Sequence, residues 1–168
     1  NHIDRFRLIP GAVEGIRKLK EAGFLCVIVT NQPGVALGIF PESLVVQVHE
    51  RMTSLLDEAG VRLDGIYYCP HHEAAVLASY RCQCPNRKPS TGMIEMAAED
   101  LEIDLSRSYI VGDRGVDIET AGRAGLNSVL VETGYGKGEW LYRSHTWTYY
   151  PSRVAKNLKE AATWIVAH

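Results

Sequence analysis

Apolar residues recur along this chain with two periods. Between Gly11 and Ala22, residues Val13, Ile16 and Leu19 share one stripe at helical spacing, and Gly23 ends the run. The next segment, Phe24 to Val29, is almost wholly apolar and rich in β-branched residues, which predicts a strand buried on both faces. From Pro41 to Ala59 the helical spacing returns, with Leu44, Val48, Leu55 and Ala59 on one face and Gly60 after it. Short strands are predicted over Gly65–Tyr68, Ser108–Val111 and Ser128–Val131, and helices over Thr91–Leu101 and Val116–Ala124. A closing helix is predicted over Ser152–Val166, with Val154, Leu158, Ala161, Ala162 and Ile165 facing inward. Strands alternating with helices imply an α/β fold, a Rossmann-like parallel sheet with helices on both faces. No repeat or linker interrupts the 168 residues, so a single domain is expected over 1–168.

Composition changes this picture little. Hydrophobic residues make up 46% and charged residues 23%, and the formal net charge is −2. That balance argues against a general nucleic-acid or membrane surface. The apolar run at Phe24–Val29 is far too short to cross a bilayer. The chain starts at Asn1 without methionine, so a processed or trimmed N-terminus is an expectation. Of the four cysteines, Cys26 lies inside the apolar strand pattern and reads as a small buried hydrophobe. The other three cluster with a histidine, which points to metal and a reducing, cytoplasmic setting rather than to disulfides.

Parallel sheets bind ligands at the carboxyl ends of their strands. After the first predicted strand comes Thr30-Asn31-Gln32-Pro33-Gly34, whose hydroxyl, amides and backbone N–H groups can hold a phosphate. The alternative is a turn in which Thr30 and Asn31 only satisfy local backbone groups. After Tyr109–Val111 comes Gly112-Asp113-Arg114-Gly115-Val116-Asp117. Two carboxylates four apart across a strand-to-helix turn suit Mg²⁺, which prefers hard oxygen ligands and keeps waters and substrate phosphate in its shell. The alternative makes Asp113 a helix cap and Asp117 a favourable charge in the first turn.

The segment from Cys69 to Pro89 is more specific. Cys69, His71, Cys82 and Cys84 form a C-x-H, C-x-C pattern with ten residues between its halves. Thiolates and imidazole at this spacing suit a closed, structural Zn²⁺ site with no open position for water. His72 is an alternative to His71, although strand alternation favours His71. Arg87 and Lys88 follow directly, a planar fork and a point charge that complement a phosphate in different ways.

Together, Thr30-Asn31-Gln32, the Cys69/His71/Cys82/Cys84 loop, Arg87-Lys88-Pro89 and Gly112-Asp113-Arg114 with Asp117 resemble the haloacid dehalogenase superfamily. They are most similar to its zinc-loop phosphatases, the D-glycero-D-manno-heptose 1,7-bisphosphate 7-phosphatases, and next to the histidinol-phosphatase domains. Ile66-Tyr67-Tyr68-Cys69-Pro70-His71-His72, Thr30–Ala36 and Val129–Gly134 look closer to the heptose branch. The resemblance implies a Mg²⁺-dependent phosphomonoesterase of carbohydrate metabolism, serving lipopolysaccharide precursor synthesis. An aspartate would attack phosphorus, and the aspartyl-phosphate would then be hydrolysed. It implies that Thr30 and Lys88 stabilise the transferring phosphoryl group and that Asp113 ligates Mg²⁺. Asn31, Gln32, Arg87 and Arg114 would contact a small sugar phosphate. The family commonly has lysine where Arg114 stands, and it often lacks the two residues Pro85 and Asn86 that precede Arg87 here.

One departure is large. The family's first motif, a strand ending in D-x-D-G-T, belongs just upstream of the segment matching Asn1–Phe6. Both catalytic aspartates are therefore absent from the 168 residues, and the sheet is expected to lack a central strand, as in a fragment of a longer protein. The enzyme is expected to be a monomer that binds neither nucleic acid nor membrane. The competing expectations are a histidinol-phosphate phosphatase, a catalytically inactive zinc-stabilised binding domain, and a polynucleotide 3′-phosphatase. Charge balance disfavours the last of these.

Overall fold

The computed structural model describes residue 3 and residues 6–168. Most of the segment compared with the catalytic motif's downstream flank, Asn1–Phe6, thus lies outside the described residues. Among the described residues six α-helices and five strands follow in the order α1 (Ala12–Glu21), β1 (Val27–Asn31), α2 (Glu42–Glu58), β2 (Gly65–Cys69), α3 (Gly92–Leu101), β3 (Tyr109–Gly112), α4 (Gly115–Ala124), β4 (Asn127–Val131), α5 (Gly136–Arg143), β5 (Arg153–Ala155) and α6 (Leu158–Val166).

All observed strand pairings are parallel, as the alternation of strands and helices requires. The strands nevertheless form two sheets among the described residues, β1–β2 and β3–β4–β5. Between them lies a cavity of about 350 Å³, lined by Val27, Ile28 and Val29 of β1 and by Tyr109, Ile110 and Val111 of β3. Lys88 and Asp117 also line it.

Helices cover both faces. Ile16 and Leu19 of α1, Leu56 of α2, Val129 and Val131 of β4, and Ala161, Ala162 and Ile165 of α6 make one core cluster. Ile94 of α3, Ile110 of β3 and Ala121 of α4 make the other, with Val29 of β1 packed against them. Val129 and Leu130 are fully buried, which makes β4 the interior strand of its sheet.

Three expectations need correction. First, β1 is not buried on both faces. It starts at Val27, its residues are half-buried, and Leu25 is exposed, because one flank of the strand meets the cavity rather than another strand. Second, no helix begins at Ser152. Residues Arg153–Ala155 pair with Val129–Val131, so Val154 belongs to a strand. The helix starts only after Asn157, whose side chain accepts from the Glu160 N–H as an N-cap. Third, α5 was not expected, because Gly136–Arg143 carries two glycines and no clear apolar stripe.

Candidate active site at the strand ends

The carboxyl ends of β1 and β3 carry or adjoin most of the expected residues, and Lys88 and Asp117 line the cavity. Lys88 Nζ donates to Asp117 Oδ1 at 2.5 Å and to the Val29 carbonyl at 2.9 Å. Both charged side chains are buried, 11% and 8% exposed, so each needs the other to offset lost hydration. Asn31, at the end of β1, holds the Lys88 backbone from both sides. Its Nδ2 donates to the Lys88 carbonyl at 2.9 Å, and its Oδ1 accepts from the Lys88 N–H at 3.0 Å. The amide of Asn31 therefore positions Lys88. Gln32 Nε2 donates to Thr30 Oγ1 at 3.1 Å, which fixes the threonine hydroxyl beside Val29.

On the β3 side, Gly112 lets the chain pass close to Asp117. A Cβ at position 112 would run into the Asp117 carboxylate. Asp117 Oδ2 accepts from the Arg114 N–H at 3.1 Å, so one carboxylate caps α4 with one oxygen and holds Lys88 with the other. The sequence reading gave Asp117 a metal or first-turn role and missed this pairing. Its only signal was the four-residue spacing from Asp113. Asp113 Oδ2 accepts from the Tyr135 N–H at 2.9 Å, across from the loop that follows β4. That loop turns at Gly134, whose φ of +63° suits glycine. Arg114 lies over the Tyr135 ring, with Cζ 4.0 Å from its centroid. Tyr135, too, was missed, since an aromatic residue in a loop carries no distinctive pattern.

The cysteine loop stands behind Arg87. Ligand atoms of Cys69, His71 and Cys84 lie within 4.8 Å of one another. Cys82 is exposed and stands outside that group. Burial pushes the Cys69 thiol up to about 11, opposed mainly by the backbone hydrogen bond from His71. Glu42 anchors the loop to α2, accepting from Tyr68 Oη at 3.0 Å and Tyr80 Oη at 2.8 Å. Arg87 Nη1 donates to the His71 carbonyl at 3.1 Å, which ties the cation directly to this cluster. His72 is used otherwise, its Nδ1 accepting from the Ala74 N–H. Thus Thr30, Asn31, Gln32 and Lys88 gather at β1, Asp113, Arg114 and Asp117 at β3, and Arg87 at the loop.

The HAD-hydrolase-like family model matches residues 85–161, the half that carries Lys88, Asp113 and Asp117. D-glycero-D-manno-heptose-1,7-bisphosphate 7-phosphatase of Thermosynechococcus vestitus is 38% identical over 172 residues, covering 100% of this chain and 87% of that protein. The chain belongs to the heptose-bisphosphate phosphatase family. The Yersinia pestis member is 44% identical over 135 residues, 80% of this chain and 72% of that protein. Among solved structures, D,D-heptose 1,7-bisphosphate phosphatase from B. bronchiseptica, complexed with magnesium and phosphate, superposes with a TM-score of 0.83. It is 29% identical and covers 98% of this chain and 87% of that one. The family assignment agrees with the parallel α/β architecture and with functional groups at strand ends.

Proposed function

We propose that this chain forms most of a Mg²⁺-dependent phosphatase that removes the 7-phosphate of D-glycero-D-manno-heptose 1,7-bisphosphate. The observation that carries it is the Lys88–Asp117 pair at the mouth of the cavity, with the Thr30 strand end beside it. A buried ammonium fixed at the carboxyl edge of a parallel sheet supplies stabilisation where negative charge grows on a transferring phosphoryl group. Lys88 and Thr30 would stabilise that group, Gln32 would hold the Thr30 hydroxyl, and Asn31 would hold Lys88. Arg87 and Arg114 would bind the remainder of the sugar phosphate.

The nucleophile and the acid/base aspartate would come from a further parallel strand in the slot between β1 and β3. Both flanking strands offer edges unpaired among the described residues there, and the lining is mostly apolar. The nucleophile would attack phosphorus as the bond to the sugar's C7 oxygen breaks, the second aspartate giving that oxygen its proton; as a carboxylate it would then deprotonate the water that attacks the aspartyl-phosphate, releasing inorganic phosphate and the free nucleophile.

Asp113 fits a Mg²⁺ ligand. Its Oδ2 is committed to Tyr135 N–H, and its Oδ1 has no hydrogen-bond partner among the described residues. Bound Mg²⁺ would supply charge neutralisation between the anionic nucleophile and the phosphate. Cys69, His71 and Cys84 fit structural Zn²⁺ by ligand type and mutual distance, with Cys82 of the same loop as the fourth donor. No described helix is long and apolar enough to cross a membrane. We place the enzyme in the cytoplasm as a monomer.

The decisive experiment measures phosphate release from the heptose bisphosphate by the full-length protein, with and without Mg²⁺. Mg²⁺-dependent loss of the 7-phosphate alone is expected. Release from histidinol phosphate in preference would overturn the substrate, and no release from any monoester would overturn the activity.

A further inference from the structure

We propose that Tyr135 is a specificity-determining positioning residue, which holds Arg114 as a clamp for the second, non-reacting phosphate of a bisphosphate substrate. The inference rests on the phosphatase reading above and concerns what grips the far end of the substrate. Arg114 leaves the same turn as Asp113, but its guanidinium lies over the Tyr135 ring. Its side chain donates to no carboxylate or carbonyl among the described residues, although Glu139 sits close enough to accept from the Gly115 N–H at 2.9 Å. Glu139 is instead engaged with Arg143 at 3.2 Å. The fork of Arg114 therefore keeps its N–H edge free while its planar face is held.

A guanidinium stacked on a ring is bound through its face, so the donors at its rim point outward and can meet an anion in two parallel hydrogen bonds. A lysine could not be oriented in this way, because an ammonium has no plane. The Tyr135 N–H donates to Asp113, so ring and carboxylate move together. The ring is 62% exposed, so the stacked pair faces solvent while Lys88 is buried against Asp117. A molecule with a phosphate at each end matches this separation of one buried and one exposed cation. A simple monoester engages only the buried one.

The test compares full-length wild type, Tyr135→Leu, Tyr135→Phe and Arg114→Ala on the heptose bisphosphate and on p-nitrophenyl phosphate, which has one phosphate. Tyr135→Leu should raise KM for the bisphosphate about fivefold with kcat nearly unchanged, as expected for loss of one exposed cation–π contact. Its kinetics on p-nitrophenyl phosphate should match wild type. Tyr135→Phe keeps the ring face and should behave as wild type on both. Adding Tyr135→Leu to Arg114→Ala should cost little more, since the ring acts only through the guanidinium. Equal losses on both substrates, or a defect in Tyr135→Phe, would overturn the proposal and leave Tyr135 as a support for Asp113. If wild type turns over neither substrate, the phosphatase reading falls. Calorimetric titration with the bisphosphate then still decides this inference, which requires weaker binding by Tyr135→Leu than by Tyr135→Phe.

Discussion

Asn31 and Lys88, 57 residues apart in sequence, are joined by two hydrogen bonds between one side-chain amide and one backbone unit. Nitrogen and oxygen of the amide each make one of these bonds, so position 31 demands both a donor and an acceptor. Asn31→Asp keeps the shape but sets a carboxylate against the Lys88 carbonyl. In the full-length enzyme this variant should lose most of its kcat while its zinc content stays normal. Steady-state kinetics with elemental analysis would check it, and wild-type turnover would show that Lys88 holds its place without the clamp.

Removing the cation itself should cost more than removing its support. Lys88→Ala deletes a preorganised charge of a kind worth about 3 kcal/mol to a transition state, or a fall of about a hundredfold in kcat. It also leaves the buried Asp117 unpaired, so thermal stability should drop as well. Lys156→Ala should change neither. Urea melts beside the kinetics separate the two effects, because loss of stability alone leaves kcat normal under folding conditions.

Zinc binding should follow the geometry of the cysteine loop. Cys84→Ala removes one of the three converging donors and should abolish stoichiometric zinc and loosen the segment bearing Arg87. Cys82→Ala should only weaken retention against a chelator, since its thiol stands outside the converging group. Equal zinc content in the wild type and Cys84→Ala would remove the loop from consideration as a metal site.

The same cysteines should differ in reactivity once the metal is stripped. Burial pushes the Cys26 thiol up to about 11, and the residue lies in the core. At pH 8 only about one Cys26 in a thousand is thiolate, so iodoacetamide should modify the exposed Cys82 long before Cys26. Raising the pH should speed Cys26 labelling in the folded protein roughly tenfold per unit until its own titration ends. Peptide mapping after timed labelling reads this directly, and Cys26 labelling as fast as Cys82 would contradict the core placement.

His49 should make the fold sensitive to mild acid. Burial holds its imidazole below the ordinary value of 6.5, against the Tyr68 ring 5.4 Å away. Between the folded and unfolded values the unfolded chain binds more protons, so stability falls as pH drops below 6.5 and levels off under the folded value. His49→Phe should flatten that part of a stability profile, as measured by denaturant melts from pH 7.5 to 5.

Much of this arrangement was legible in the residues. Helices α1, α2, α3 and α4 lie within a residue or two of the apolar stripes, and Thr30 and Asp113 stand at the carboxyl ends of parallel strands as the alternation requires. What escaped was carried by partners distant in sequence. Nothing near Asp117 announces Lys88, and nothing near Asn31 shows that its amide turns to a backbone unit in another loop. The strand at Arg153–Ala155 was hidden by a helical pattern that continued through it, because Val154 fits either period over so short a run. Cys82 has the right spacing and interacts with Cys84, but it is exposed and stands outside the converging group, a difference that spacing does not encode.

The slot between β1 and β3 has a consequence for how the molecule assembles. The unit β1–α2–β2 and the unit β3–α4–β4–β5 are each built from neighbouring segments, whose contacts close quickly because little loop entropy must be spent. Helices α1 and α6 pack against each other from opposite ends of the chain, with Gly15 so near Leu158 that no side chain fits between them. A strand entering the slot would pair with both units at once. Completing the chemistry and joining the two sheets into one would then be a single event. Without that strand the two sheets share helices and core side chains but no ladder hydrogen bonds among the described residues, and the site lacks its nucleophile.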